Sequence, residues 1–278
     1  MLEVIFLIVL GLIWIIFAVI QDLKKREIAN WLNFSLILFA LIFRFFYSLF
    51  NNQGYSFFYQ GVLGFGVFFI IGNLLYYGRV FAGGDAKLIM ALGAVIPFSE
   101  SLFANLNLVM IFFAFFLVAG AFYGIIYSLV LGIKNYGNFK KEFSKKFKKN
   151  KKFFYMALVL SLILVVASIF ISTLVFLAIL IIISPYIYFS AKAIDESCMI
   201  KKINTKNLTE GDWLYKDVKI GKKLIKAKWD GLSKEEIILL RKKKKDILIR
   251  QGIPFSPVFL ISYLALIYML INQKVYLF

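Results

Sequence analysis

The feature that most constrains this chain is a series of long apolar stretches divided by clusters of lysine. Residues 2–20 carry a single charge, Glu3, and further apolar blocks run 31–50, 57–77, about 80–98 and 107–132. A longer block covers 153–192, and a last one covers 254–272. A helix needs about 20 mainly apolar residues to cross the hydrocarbon core of a bilayer. The hydrophobic fraction is 62%, against roughly 45–50% for a soluble globular chain. A globule of this size has no interior large enough for that much apolar surface. The first stretch is too long, and its start too poor in positive charge, for a cleaved signal peptide.

The block 153–192 decides the topology. As one straight helix it would be roughly 60 Å long, twice the hydrocarbon thickness. Two spans with a tight turn near Ser168–Thr173 fit better, and charge tests the choice. With two spans, residues 21–30, 78–87, 133–152 and 192–253 share one side and hold 31 of the 33 Lys and Arg residues. Only Arg44, inside a span, and Lys274, near the C-terminus, fall elsewhere. The positive-inside rule then makes that shared side cytoplasmic and puts both termini outside.

The expected fold is therefore an all-α polytopic membrane protein of about eight transmembrane helices, with a small α+β cytoplasmic domain inserted before the last helix. Residues 1–132 form a membrane core of five spans, 133–152 a basic cytoplasmic loop, 153–192 a helical hairpin, 193–253 the small domain, and 254–278 the last span and an outer tail. The basic loop holds nine lysines between 134 and 152. Such a run is attracted to anionic lipid at the inner face, and no nucleic acid is expected as a partner. Phe139, Phe143 and Phe147 make a stripe suited to a helix lying on the membrane surface. In the small domain, Trp213–Lys219 and Lys222–Lys228 alternate around Gly221 as a short hairpin. Ser233 to Glu236 has the form of a capping box that starts a helix running to about Arg250, with Gly252 and Pro254 as its stop.

Absences narrow the chemistry. The chain has no His and one cysteine, Cys198. Triads that use histidine and zinc sites with histidine ligands are excluded, so carboxylates are the expected workers, with no metal and no cofactor. Residues 1–194 contain six acids, of which only Asp22 and Asp85 are aspartates. Asp22 follows the first span. The apolar run after Asp85 is about 20 Å long as helix, too short to cross. To span, it must recruit Val80 to Gly84, which draws Asp85 below the membrane surface. An acid there is costly and a functional candidate by default. Gly83 and Gly84 weaken helix locally and admit another backbone at close range, as a peptidase needs for an extended substrate. Each aspartate also has a plainer reading: Asp85 as the N-cap of its helix, Asp22 as a juxtamembrane residue in a charged turn. Lys87 reads first as a snorkelling anchor.

Two facing carboxylates have defined chemistry. They cannot both ionise easily, so the pair shares one proton. The ionised member takes a proton from water, the protonated member donates to the scissile carbonyl, and the roles reverse as the amine leaves. The pair titrates as a unit.

At these residues the sequence resembles the aspartic prepilin peptidases, and within them the archaeal preflagellin or archaeal type IV prepilin peptidases. Their glycine-any-glycine-aspartate motif reads here Ala82-Gly83-Gly84-Asp85-Ala86-Lys87-Leu88, with alanine for the first glycine. Their other aspartate precedes a basic stretch ending in isoleucine-proline-asparagine. Here Asp22 leads through Lys24, Lys25 and Arg26 to Ile28-Ala29-Asn30, with Ala29 for the proline. Glu210–Leu214 and Gly252–Pro257 are similar to segments of the archaeal branch. The resemblance implies that Asp22 and Asp85 are the catalytic pair, with Gly83, Gly84, Lys87 and Asn30 shaping the site or binding substrate. It also implies a multi-pass enzyme of the cell membrane, working at the cytoplasmic face. Such an enzyme removes a short basic leader from prepilin-like or preflagellin-like subunits. Bacterial relatives add a methyltransferase function and a four-cysteine zinc segment; with one cysteine this chain lacks that segment, so peptidase activity alone is expected.

Two rivals use the same acids. A presenilin-like intramembrane protease pairs its motif with tyrosine-aspartate, whereas Gln21 precedes Asp22 here. A proton-coupled transporter would relay protons through Asp22 and Asp85, and would be expected to show a repeated architecture, which the sequence lacks.

Overall fold

The computed structural model describes residues 2–51, 54–221, 223–243 and 246–273. Lys222 and the tail 274–278, with Lys274, lie outside the described residues. The helices are α1 (Leu2–Lys25), α2 (Asn30–Phe50), α3 (Ser56–Tyr77), α4 (Gly83–Gly93), α5 (Leu102–Lys134), α6 (Tyr136–Lys149), α7 (Lys151–Ala167), α8 (Leu174–Cys198), α9 (Lys234–Lys243) and α10 (Ser256–Gln273). Five strands, β1 (Ile200–Asn204), β2 (Trp213–Leu214), β3 (Val218–Ile220), β4 (Lys223–Ile225) and β5 (Asp246–Arg250), lie among the last of these. Two compact units result: Met1–Gly124 with Ile253–Phe278, and Ile125–Gly252.

Among the described residues, five helices are long and apolar enough to cross a membrane: α1, α2, α3, α5 and α8. A sixth is added if α6 and α7, which meet at 73°, are counted as one broken span. The chain is thus a multi-pass membrane protein, with five to six full-length spans where the sequence suggests about eight. The block 80–98 accounts for part of the difference. Its helix, α4, is 11 residues, about 16 Å, and ends at Gly93. Pro97 has no N–H to continue a helix, and it disfavours helical geometry in Ile96 before it.

The chain beyond α4 continues alongside α3 as irregular backbone. A Cβ on Gly64 of α3 would strike Pro97 and the Gly93 carbonyl. Closer to the start of α3, Gln60 Nε2 and Ser56 Oγ donate to the Glu100 carbonyl at 3.2 and 3.3 Å. Non-helical backbone at membrane depth is tolerated only where protein supplies its hydrogen bonds. Arg44 of α2 supplies most of them. Its guanidinium donates to the carbonyls of Ala94 at 3.0 Å, Val95 at 3.2 Å, Phe57 at 2.9 Å, and Pro97. It is fully buried and lies 4.3 Å from the Phe57 ring centre. Gly61 leaves the room, since a Cβ there would sit 2.7 Å from Arg44 Nε.

The α3–α4 contact is therefore close to backbone on backbone. At Gly93 a Cβ would meet the Gly64 carbonyl oxygen at 2.6 Å. Gly93→Ala is expected to destabilise the protein by about 1–3 kcal/mol, the usual cost of overpacking. Thermal unfolding in detergent checks this, and an unchanged midpoint would contradict so tight an approach. Phe112 and Phe116 of α5 stack beside Phe259 of α10 in the same unit.

In the second unit α7 and α8 pack side by side across the turn 168–173, where Ser161 Oγ donates to the Ala178 carbonyl at 3.0 Å. The aromatic stripe of α6 forms on one face of the helix, and its last ring packs on neighbouring helices. Phe139, Phe143 and Phe147 run ring to ring, and Phe147 packs on Phe154, Tyr186 and Phe189. All three rings stay half-buried. The small α+β region holds an antiparallel sheet in the order β1-β5-β2 and a separate β3–β4 pair. Gly221, with φ 59°, turns between β3 and β4, whereas Trp213 and Leu214 pair with β5 rather than joining that hairpin. The capping box forms as read: Glu236 N–H donates to Ser233 Oγ at 3.3 Å and Ser233 N–H to Glu236 Oε2 at 3.0 Å. Its helix stops at Lys243, not near Arg250. Residues 246–250 are strand β5 instead, with Ile247 and Ile249 buried and Leu248 exposed, the two-residue period of a sheet.

Candidate active site

Asp22 and Asp85 come from different helices of the first unit. α1 runs on to Lys25, so Asp22 lies within the helix near its end and is 7% exposed. Arg26 takes a left-handed turn, φ 60°, that ends α1. The loop 26–29 then folds back: Ala29 N–H donates to Gln21 Oε1 at 3.0 Å. α2 begins at Asn30 directly after it.

Asp85 stands in the first turn of α4, partly buried. It is not the N-cap; Ala82 holds that position. Nearby, a Cβ on Gly72 of α3 would lie 3.0 Å from the Ala86 carbonyl. That level is more than one helical turn inside the end of α3 at Tyr77. Asp22 is near enough for its carboxylate to act on Asp85 electrostatically. Two acids separated by most of a domain in sequence are thus brought within electrostatic reach.

The smaller residues explain how. At Gly84 a Cβ would lie 3.3 Å from Ile28 Cβ and 3.4 Å from Ile28 N. The backbone that approaches this glycine is therefore the chain's own loop 26–29, whereas the sequence alone suggests a substrate. Gly83 is less confined, with Tyr76 Cε2 at 3.6 Å. Lys87 Nζ donates to Asn30 Oδ1 at 2.7 Å, so it ties α4 to the start of α2 rather than only anchoring at the surface. All six sequence candidates thus belong to two strips of chain that touch. Three further participants escaped the sequence reading. Asn33 Nδ2 donates to the Gly84 carbonyl at 3.4 Å, and its place one turn beyond Asn30 on α2 was a usable signal. Gln21 closes the loop. Ser256 N–H donates to Asp22 Oδ2 at 3.1 Å, and nothing local in the sequence announces it.

Both aspartates fall in a segment, residues 9–129, that matches the type IV leader peptidase family. Over that segment the chain is similar to this family. The resemblance read from the two aspartate motifs holds. Among curated relatives, a preflagellin peptidase of Methanocaldococcus jannaschii is 39% identical over 89 residues, 32% of this chain and 37% of that protein. Preflagellin peptidases of Methanococcus maripaludis and Methanococcus voltae are 28% identical over 134 residues and 30% over 127. Those two matches cover 46% and 45% of this chain, and 57% and 54% of the relatives. The chain thus spans between about a third and just over half of the length of these relatives. No solved structure matches it.

Proposed function

We propose that this chain is a member of the type IV leader peptidase family and a membrane-embedded aspartic endopeptidase. It removes the short basic leader of prepilin-like or preflagellin-like subunits at the cytoplasmic face of the cell membrane. The observation that supports this reading is that Asp22, near the end of α1, and Asp85, in the first turn of α4, lie within electrostatic reach of each other where Gly84 packs on Ile28. One aspartate activates water and the other protonates the scissile carbonyl. Sharing a single proton lets them exchange roles within a turnover. No metal and no cofactor enter the reaction. Gly84 and Ile28 set how closely the two motifs approach, and the Lys87–Asn30 bond fixes their relative height. The test is incubation of the membrane-embedded protein with a prepilin-type substrate. Release of the leader is expected, and intact substrate after incubation with folded, inserted protein would refute the proposal.

The orientation draws support from charge, with 31 of 33 basic residues on one side of the proposed topology. With Phe147 packed on α8, α6 leaves Lys140, Lys141, Lys145 and Lys148 exposed toward anionic lipid, Lys145 also pairing with Glu142 at 3.4 Å. Each lysine near such a surface contributes about 1 kcal/mol of attraction. Replacing Lys140, Lys141, Lys145 and Lys148 by glutamine is expected to reduce the anionic lipid that co-purifies with the full chain. Lipid mass spectrometry checks this, and equal retention would remove lipid from the role of this helix.

A further inference from the structure

The family segment ends at residue 129, yet Asp22 takes a hydrogen bond from far beyond it. The donor, Ser256 N–H, lies 234 positions away in sequence, and the bond is buried. Ser256 is the first residue of α10. The first N–H groups of a helix have no acceptor within it, and the helix start favours negative charge. Phe255 precedes α10 and its side chain has no oxygen with which to cap those groups. The Asp22 carboxylate fills that place from another helix. α10 is also held to α1 at a second level, where Tyr263 Oη donates to the Ile8 carbonyl at 3.3 Å. Gly11 makes room for this, since a Cβ there would lie 2.9 Å from Tyr263 Cζ. The register of α10 against α1 is thus fixed at both levels, and with it the direction of the Ser256 N–H.

We propose that Ser256 is a positioning residue for the peptidase reaction: its backbone N–H, aimed by α10, holds the Asp22 carboxylate in the orientation in which it meets Asp85. The inference rests on the peptidase reading above. It makes the last helix a working part of a site whose two acids both lie in the family segment. It also assigns the role to the backbone and not to the hydroxyl, because Ser256 Oγ is buried and makes no hydrogen bond.

Two substitutions separate backbone from side chain. Ser256→Ala removes the hydroxyl and keeps the N–H. Ser256→Pro removes both, and proline suits the first position of a helix, where its fixed φ is right and no helical bond is lost. Steady-state cleavage of a prepilin-type substrate is measured for each. The proline variant is expected to have a kcat about 10- to 100-fold below that of the alanine variant, with similar KM. Wild-type cleavage with equal kcat in the two variants overturns this inference alone. Wild-type protein that releases no leader overturns the peptidase reading, and the inference with it. If the proline variant does not insert, hydrogen exchange at the Ser256 amide decides. Faster exchange in Asp22→Ala than in wild type is expected, and equal exchange overturns the contact on which the inference stands.

Discussion

Asp22→Asn and Asp85→Asn are each expected to abolish leader removal, with kcat/KM falling by about 1,000-fold or more. General acid–base catalysis by one group contributes about 100- to 10,000-fold, and in the proposed mechanism each aspartate takes both parts within a single turnover. The two variants are therefore expected to be about equally inactive, and the double variant little worse than either, because residues acting as a unit are not additive. Asparagine keeps the shape of the side chain and an acceptor oxygen for the Ser256 N–H at position 22. The variants are expected to insert and melt like the wild type, and removing one of two like charges relieves repulsion between them. Mass spectrometry of the substrate after incubation reads cleavage, and a detergent melt reads folding. Full activity in either single variant would refute the paired mechanism. Loss of activity together with loss of folding would mean that the aspartates hold helices and do no chemistry.

The largest expected effect on stability is at Arg44. Arg44→Met fills similar space with an apolar chain but deprives the carbonyls of Ala94, Val95, Phe57 and Pro97 of their donor. An unsatisfied buried polar group costs about 1–3 kcal/mol, and removing one partner from a buried charged network costs about 3–5 kcal/mol. Loss of at least about 3 kcal/mol is expected on that basis. In practice the variant should accumulate poorly in membranes and melt well below the wild type. Arg44→Lys should recover only part of the loss, because one ammonium group cannot reach carbonyls that a planar guanidinium spans. A melting point for Arg44→Met within a degree or two of wild type would show that the segment after α4 does not depend on this side chain.

Much of the architecture was legible because lipid imposes a simple rule. Apolar runs of sufficient length must be helices, and lysine clusters must lie outside them, which is how the α7–α8 pair and its turn emerge from the block 153–192. The Ser233–Glu236 capping box was legible for a similar reason, since both of its bonds are made within four residues. What escaped depends on contacts across the chain. The end of α4 at Gly93 follows from Pro97, but its tolerance at membrane depth follows from Arg44, a residue that in sequence looks like a stray charge in a span. Residues 246–250 are too few for their two-residue period to outweigh the helical run before them; pairing with both β1 and β2 makes them a strand. Asp22 and Asp85 could be singled out by rarity and position. That Asp85 lies in the first turn of α4 and not at its N-cap, and that Gly84 faces Ile28, required the fold. Ser256 carries no signal of its own, because its contribution is a backbone N–H that any residue except proline possesses.

The way Arg44 is satisfied has a consequence for an enzyme that must move protons. The side chain that braces the far end of α4 donates its hydrogen bonds to peptide carbonyls and not to a carboxylate. Neither a guanidinium nor a peptide carbonyl changes charge near neutral pH. The grip on α4 is thus uncoupled from the protonation cycle at its other end. If Asp85 gains and loses a proton beside Asp22 as proposed, the brace at the other end of its helix keeps the same charge and the same bonds, so the geometry of the pair need not be rebuilt between one turnover and the next.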